Sequence, residues 1–265
     1  MGRSEPVETS ASAHRVLLRE PVAEAAVGAW LLWWCHERTV LDETVLPTTG
    51  GMVVLVVGGG QGPELTLRRS DSRPSLVRGV ADRRSIGVLL RPGTWWLAHE
   101  LSAIFGGTGG DGGRRVIGPG RRWQAETALG RVEAVVAELV AAGRRPSPLV
   151  GWAEAELRSG ARVGEVCAAL QIDRRRLAAA FVTTYGVGLK RYGRLCRFER
   201  AVALLRRSDA PPLAVVAAET GFTDQSHLCR ELRAIGGLRP SQLHRRAGPS
   251  PTHLPHDETS KTSPS

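Results

Sequence analysis

The sequence predicts an α+β protein with a β-rich, barrel- or sandwich-like N-terminal domain, a helical connector and an all-α C-terminal domain that contains two helix-turn-helix units. Three observations support this division. Short apolar runs separated by Gly, Pro, Asp and Ser fill the first half, as is typical of strands and turns. Apolar residues three and four positions apart, as in helices, fill the second half. Residues 161–246 contain 16 basic and 7 acidic side chains, against 20 and 19 in the rest of the chain.

Length and composition favour two domains with a tail at each end. The chain has 265 residues, and its 42% of hydrophobic residues is sufficient for a buried core. Residues 1–13 and 247–265 are rich in Ser, Thr, Pro and Glu, so we expect both to be disordered tails. Between them we predict the β-rich domain at 14–118, the helical connector at 119–160 and the basic helical domain at 161–246.

Four apolar runs predict strands in the β-rich domain but leave the order of the strands open. These runs are Val27–Cys35, Met52–Val57, Glu64–Leu67 and Ile86–Leu90. We predict a short helix at Trp95–Phe105, after them. In the connector, apolar residues at helical spacing between Ala128 and Val140 predict one helix, and Leu149–Arg158 predicts a second.

Composition and cysteine usage argue against several classes of protein. All basic residues except two are arginines, whose guanidinium groups form paired hydrogen bonds with phosphate or guanine. The four cysteines lack the CxxC spacing of structural zinc sites, so we expect no metal and no cofactor. The apolar stretch Ala25–Cys35 is too short to span a bilayer, and the N-terminus has no apolar signal core. We therefore expect a cytoplasmic protein without a membrane partner.

The first copy of a helix-turn-helix pattern begins the basic domain. Apolar residues between Val163 and Leu170 have the i, i+3, i+4, i+7 spacing of a helix with one buried face. The turn Gln171-Ile172-Asp173 follows, and Asp173 is the expected N-cap of a helix from about Arg174 to Thr184. A pair of short helices joined by a tight turn is the motif that places its second helix in the major groove of DNA.

The second copy repeats the pattern about 50 residues later. An apolar face at Leu213–Ala217 precedes the turn Gly221-Phe222-Thr223. Asp224 is the expected N-cap of the next helix, Gln225–Leu232. One short helical hairpin is common in many folds, but two copies within one basic segment favour a nucleic-acid-binding domain.

Between the copies, Leu189–Arg207 is predicted as one continuous helix with an apolar side and an arginine-rich side. At 1.5 Å per residue it would be roughly 27 Å long, which would hold the two reading helices in successive major grooves. We expect its basic side chains to contact DNA phosphates; those in question are Lys190, Arg191, Arg194 and Arg197.

Residues of the second copy carry a family resemblance. They are Ala217, Gly221, Phe222, Asp224, Gln225, Ser226, His227, Leu228, Arg230, Gly237, Pro240 and Ser241. With them, Ala217–Arg245 resembles the C-terminal half of the AraC/XylS family of bacterial transcription regulators, and Gln171–Leu205 is similar to that family's first helix-turn-helix and linker helix. The resemblance implies two reading helices in adjacent major grooves of double-stranded promoter DNA. It also implies an N-terminal sensor domain that binds a small-molecule effector or mediates dimerisation.

The resemblance also implies which side chains face the bases. The first reading helix would present Arg175, Ala178 and Ala179, flanked by Arg174 and Arg176. The second would present Ser226, His227 and Arg230, and Gln225 is a further expected DNA-binding residue. Among these, Arg175 and Arg230 are the expected guanine contacts. Ala179 stands where the family commonly has a polar side chain, so we expect the first helix to act mainly through phosphates and thymine methyl groups.

The N-terminal half carries a fainter resemblance. The stretch IGVLLRPGTWWLAHEL is similar to an Arg-Pro-Gly segment in the sensor domains of some of these regulators, which implies a cupin-like β fold. Four tryptophans of this half are candidates for the lining of an apolar ligand pocket, with an ordinary core or a dimer surface as the alternatives. They are Trp30, Trp33, Trp95 and Trp96.

These observations predict a sequence-specific, nucleoid-associated transcription regulator rather than an enzyme. A homodimer is one possible assembly, and RNA polymerase is an expected partner if the protein is an activator. One alternative is a ligand-independent DNA-binding protein whose N-terminal half only dimerises. Another is a DNA-repair enzyme with a DNA-binding tail, which would need an activated thiolate. Only Cys35 lies in the N-terminal half, and no ligand cluster surrounds it in the sequence.

Overall fold

The computed structural model describes most of the C-terminal half and the strands of the N-terminal half. The described residues are 7–11, 14–19, 29–37, 43–58, 61–68, 74–77, 81–92, 114–116, 134, 137, 141, 147–207 and 209–244. Ala134, Ala137 and Ala141 are helical, in agreement with the helix predicted in the connector. The helix predicted at Trp95–Phe105 and the tail predicted at 247–265 lie outside the described residues.

The strands of the N-terminal half form two antiparallel sheets. Their bounds are β1 Val7–Ala11, β2 His14–Arg19, β3 Ala29–Glu37, β4 Glu43–Val45, β5 Met52–Gly58, β6 Gln61–Arg68, β7 Ser75–Val77, β8 Arg83–Leu90 and β9 Arg114–Val116. The larger sheet has the order β1-β2-β3-β8-β5-β6-β9, and β4 pairs with β7. The four apolar runs of the sequence fall on β3, β5, β6 and β8.

Strand β8 lies at the centre of the larger sheet, between β3 and β5. Its last five residues, Ile86–Leu90, are all buried, so both faces of this end of the strand are covered. Such a strand has an unbroken run of apolar residues, because apolar and polar residues alternate only where one face of the strand is exposed to water.

Strand β1 corrects the prediction of a disordered tail at 1–13. Val7–Ala11 pairs residue by residue with β2, from Val7 opposite Leu18 to Ala11 opposite His14. The prediction is wrong for these five residues because it rested on composition, which does not report that a neighbouring strand is available to pair with the backbone.

Seven helices lie within 147–207 and 209–244. Their bounds are α1 Pro148–Ser159, α2 Val163–Ala169, α3 Arg174–Tyr185, α4 Leu189–Leu205, α5 Leu213–Thr220, α6 Gln225–Gly236 and α7 Pro240–His244. Among the described helices, none has the length and apolar character needed to cross a membrane. Helix α4 ends at Leu205, two residues before the predicted end.

A first hydrophobic core joins α1, α2, α3 and the first half of α4. Its buried residues are Val150, Ala153, Leu157, Val166, Leu177, Phe181, Tyr185, Val187, Leu189, Tyr192 and Cys196. Because three of them belong to α1, this helix packs as part of the helical domain. The domain therefore begins at α1, and the boundary predicted at residue 161 is too late.

A second core joins the second half of α4 with α5, α6 and α7. Its buried residues are Leu195, Phe198, Ala201, Val202, Leu205, Val216, Ala217, Phe222, Leu228, Leu232, Leu238 and Leu243, together with Leu46 from the segment between β4 and β5. Helix α4 contributes to both cores, and ten of its 17 residues are buried. It is therefore the element that connects the two helix-turn-helix units.

Candidate nucleic-acid interface

The first reading helix, α3, is fixed at its start by Asp173. One carboxylate oxygen of Asp173 accepts hydrogen bonds from the backbone N–H groups of Arg175 (2.7 Å) and Arg176 (3.3 Å), as the sequence predicts for an N-cap. The side chains of Leu177 and Phe181 are fully buried on the inner face of the helix. This orientation directs the opposite face of α3 into solvent.

The solvent face of α3 carries most of the residues predicted to meet DNA. Arg174, Arg175, Arg176 and Ala179 are exposed. Ala178 differs, because it is half-buried and packs against the first core. The three successive arginines therefore extend outward from the first turn of the helix, and only one of the two alanines is open to solvent.

The second reading helix, α6, has the same construction. Asp224 caps it, with a carboxylate oxygen 2.7 Å from the backbone nitrogen of His227. Leu228 and Leu232 are fully buried on its inner face. The residues Gln225, Ser226 and Arg230 are exposed on its outer face. The polar face of α6 is thus directed outward, as the sequence predicts.

His227 is less accessible than the sequence suggests. Its ring is half-buried, and its Nδ1 atom accepts a hydrogen bond from the backbone N–H of Thr223 at 3.4 Å. The ring also stands edge-on to the ring of Phe222, with centroids 5.4 Å apart. In this arrangement Nδ1 is engaged within the turn.

The basic side chains of α4 fall into two groups. Lys190 and Arg191 are exposed in the first turn of the helix. Arg194 instead forms two hydrogen bonds with the carboxylate of Glu231 on α6, both 2.9 Å long. Paired contact between a guanidinium group and a carboxylate is a strong and well-oriented interaction. Arg194 therefore joins α4 to the second reading helix, a role that the sequence did not predict.

Arg197 and Arg200 also face neighbouring helices. The guanidinium carbon of Arg197 lies 5.9 Å from the centroid of the Phe222 ring. Arg200 donates hydrogen bonds to the backbone carbonyls of Ser159 and Thr220, each 3.0 Å long. These carbonyls lie at the C-terminal ends of α1 and α5, where helix carbonyls lack partners within the helix and a positive charge is favoured. Burial lowers the pKa of Arg200.

Glycine at position 160 makes the approach of Arg200 possible. Gly160 ends α1 with a φ of 116°, and a Cβ atom there would collide with the guanidinium group of Arg200. The left-handed backbone therefore favours glycine here, and a larger residue would displace the Arg200 guanidinium group.

A buried polar cluster beside α4 was not predicted. Arg158 contacts Glu154 and donates a 2.9 Å hydrogen bond to the hydroxyl of Tyr192, which in turn donates to Glu154 at 2.6 Å. Glu199 lies 3.9 Å from Arg158 and accepts hydrogen bonds from Thr49. Glu199 follows Tyr192 by seven residues, at the spacing of the apolar face of α4. That position was the sequence signal for its burial.

The environment of this cluster shifts several pKa values. Burial raises the pKa of Glu199 to about 7, against the opposing effects of Arg158 and of the bonds from Thr49. Burial also raises the pKa of Tyr192 well above its usual value. Burial alone would lower the pKa of Arg158, but Tyr192, Glu154 and Glu199 outweigh it and raise that pKa. The guanidinium group therefore stays charged and holds the cluster together.

The predicted tryptophan pocket is described only in part. Trp30 and Trp33 lie on β3, and Trp95 and Trp96 lie outside the described residues. A different cleft, of about 590 Å³, lies beside the second reading helix. Its lining is Leu213, Cys229, Arg230, Arg233, Ala234, Arg239, Pro240 and Ser241. Three arginines therefore surround this cleft, and one of them is the predicted guanine contact.

Comparison with known proteins finds a family model that matches most of the helical domain. Residues 166–246 match the family described as "Helix-turn-helix domain". No curated protein matches the chain. The C-terminal domain of AraT, a response regulator from Geobacillus stearothermophilus, is a solved structure similar to 44% of this chain and 98% of its own, with 21% identity and a TM-score of 0.37.

Two further solved structures are similar to different lengths of the chain. The DNA-binding domain of AdpA, a global transcriptional factor, was solved with a target DNA; it has 24% identity over 38% of this chain and 92% of its own, with a TM-score of 0.33. ToxT from Vibrio cholerae has 10% identity over 88% of this chain and 98% of its own, with a TM-score of 0.44.

Proposed function

We propose that residues 166–246, which match a helix-turn-helix domain family, form a DNA-binding domain of the AraC type, and that the chain regulates transcription by reading two adjacent major grooves of promoter DNA. One observation carries the proposal: both reading helices bury their apolar faces and expose their polar faces. An exposed arginine stands on each, Arg175 on α3 and Arg230 on α6. Paired hydrogen bonds from arginine to the O6 and N7 atoms of guanine are the commonest specific contact in the major groove.

The helix that separates the reading helices has a length that suits this mode of binding. At 1.5 Å per residue, the 17 residues of α4 extend about 26 Å. Successive major grooves on one face of DNA are roughly 34 Å apart. A bend in the DNA would supply the remaining distance.

Phosphate contacts are assigned to the exposed basic residues outside the base-reading positions. These are Arg174, Arg176, Lys190 and Arg191. Lys190 and Arg191 also lie in the first turn of α4, where the helix dipole favours an anion. Neutralising phosphates releases counterions, so we expect the affinity to fall steeply as salt is added.

The N-terminal half is assigned a regulatory role, as the site of a small-molecule effector or of dimerisation. Its seven-stranded sheet is physically connected to the helical domain through the segment between β4 and β5. A thermal shift screen with a metabolite library separates the two roles. A ligand that binds only the native state raises the Tm, whereas a protein that only dimerises shows a Tm that depends on its own concentration.

Selection of bound sites from random duplex DNA tests the main proposal. The full chain should enrich sites with two conserved motifs whose centres are about ten base pairs apart. Enrichment of a single motif would contradict reading by both helices. Failure to enrich any sequence, with binding that depends only on salt, would contradict sequence-specific binding altogether.

A further inference from the structure

The segment Leu46–Gly51, which leads into β5, is buried although it is neither helix nor strand. Connecting segments normally lie at the surface, because buried backbone needs partners for its polar groups. Here the partners are supplied from two sides. The carbonyl of Gly51 accepts a 2.8 Å hydrogen bond from the backbone N–H of Leu90 on β8, and Leu46 and Thr49 contact the helices.

Thr49 makes the polar contact with the helical domain. Its backbone N–H and its hydroxyl donate hydrogen bonds of 2.5 and 2.8 Å to the two carboxylate oxygens of Glu199 on α4. The same hydroxyl lies 3.3 Å from both terminal nitrogens of Arg158 on α1. Thr49 is fully buried, and the side chain of Glu199 is 7% exposed. A charged group at this depth is favourable only while these partners remain in place.

Leu46 makes the apolar contact. It is buried in the second core with Phe198 of α4. A Cβ atom at Gly236, near the end of α6, would lie 2.8 Å from the ring of Phe198 and 3.5 Å from Leu46. Glycine is needed at this point because the three groups are so close. The end of the second reading helix is therefore packed directly against the N-terminal half.

We propose that Leu46–Gly51 is the contact through which the N-terminal half positions α4, and with it both reading helices, for DNA binding. In this role Thr49, Glu199 and Leu46 are positioning residues. The inference rests on the proposed DNA-binding function and adds its regulation. Docking fixes an element that both cores share, so it reduces the conformational freedom that DNA binding would otherwise remove. A ligand or partner that displaces the segment would weaken DNA binding, and by reciprocity DNA would weaken the binding of that ligand.

The test uses the full chain and a duplex obtained by site selection. Thr49→Val removes the hydroxyl while keeping the size of the side chain, and we expect it to raise the Kd for the duplex about five-fold. Thr49→Ser restores the hydroxyl and should stay within about two-fold of the wild type. The loss should be equal for all single-base variants of the duplex, because Thr49 does not touch the bases.

A control variant separates positioning from a general loss of stability. Ile86→Val removes one buried methyl group in β8, outside the proposed contact segment and outside both helical cores. We expect it to leave the Kd within about two-fold of the wild type. A second readout, independent of DNA, is hydrogen exchange of the Thr49 amide, which should be slow in the wild type and fast in Glu199→Ala.

The outcomes distinguish this inference from the proposed function. If the wild type binds no selected duplex, both fail. If the wild type binds but Thr49→Val binds equally well or more tightly, the inference fails and the proposed function stands. A Thr49 amide that exchanges freely in the wild type overturns the docking itself, and an equal loss in Ile86→Val overturns the positioning role.

Discussion

The two helix-turn-helix units share a scaffold but place their arginines at different turns of the reading helix. When the N-caps Asp173 and Asp224 are superposed, the second helix follows the first with an offset of 51 residues. The buried positions then coincide, with Leu177 matching Leu228. At the exposed positions, however, the arginines of the two helices stand at different places.

In α3 an arginine occupies the second helical position, and an alanine occupies the sixth. In α6 these positions carry Ser226 and Arg230 instead. The first helix therefore presents its positive charge near its N-terminus, and the second presents it one turn later. The inner faces are alike, so the difference lies in the exposed residues, which on the proposed function would change recognition and not folding. We therefore expect each unit to contact guanine from a different turn of its reading helix.

The cores of the two units also differ. In the first, the rings of Phe181, Tyr185 and Tyr192 lie together, with centroids 4.8 to 5.5 Å apart. The Arg158 cluster adjoins them. The second core is mainly aliphatic and includes Leu46 from the N-terminal half. The first core is thus built around aromatic rings with charged groups beside them, whereas the second includes an apolar residue from outside the helical domain.

The largest expected effect comes from truncating one buried side chain in each core in turn. Phe181→Ala should destabilise the first unit by about 3–5 kcal/mol, and Leu228→Ala should destabilise the second by about 2–5 kcal/mol, because both side chains are fully buried. Hydrogen exchange should show faster opening of α3 in the former and of α6 in the latter. Val182→Ala, at a residue that is 53% exposed, is the matched control. If either substitution accelerates hydrogen exchange equally in both units, the two cores open as one cooperative unit.

The charged groups beside the first core should give the protein a dependence on pH. Burial raises the pKa of Glu199 to about 7, above its usual 4.5 in an unfolded chain, so the folded state binds the proton more tightly. The free energy of unfolding should therefore fall as the pH rises from about 4.5 to about 7, by at most about 3 kcal/mol. Urea unfolding of the wild type and Glu199→Gln at pH 5 and pH 8 measures this. A difference between the two proteins that is the same at both pH values would refute it.

Substitution of the two exposed arginines tests the displacement of charge between the reading helices. Arg175→Ala and Arg230→Ala should each weaken binding of the selected duplex by about 1–3 kcal/mol and relax the preference at one base pair. The affected base pairs should lie in different motifs. Arg84→Ala removes an exposed charge on β8, outside the helical domain, and is the control. If Arg230→Ala weakens binding of selected and random DNA equally, its base-reading role is wrong.

The smallest effects should separate the two groups of basic residues on α4. Arg194→Ala should lower the free energy of unfolding by about 1 kcal/mol, a modest value because Arg194 is 36% exposed. Arg207→Ala, whose ion pair with Asp209 is on the surface, should leave the free energy of unfolding unchanged.

Lys190→Ala should instead weaken binding to all duplexes alike and reduce by about 1 the slope with which affinity falls as salt is added. A Lys190→Ala protein with an unchanged salt slope would argue against a phosphate contact.

Local features of the helical domain were predictable because they depend on neighbouring residues. The caps Asp173 and Asp224 lie in the turns that they close, and the buried positions of α3 and α6 follow a helical period. The contact of Arg194 was not predictable, because its partner Glu231 lies 37 residues further along the chain and on another helix. The bond between Thr49 and Glu199 joins residues 150 positions apart. A pattern within one helix shows which side chains share a face, but not which element covers that face.

The two hydrogen bonds of Arg200 have a consequence for protein engineering. One side chain closes the ends of both α1 and α5, which belong to different units, and three residues of α1 complete the first core. A fragment cut at residue 161 would lose the carbonyl of Ser159 and leave an open hydrophobic surface. For a chimaera that transplants this domain onto another protein, the suitable junction is therefore upstream of Ser147, whose hydroxyl starts α1.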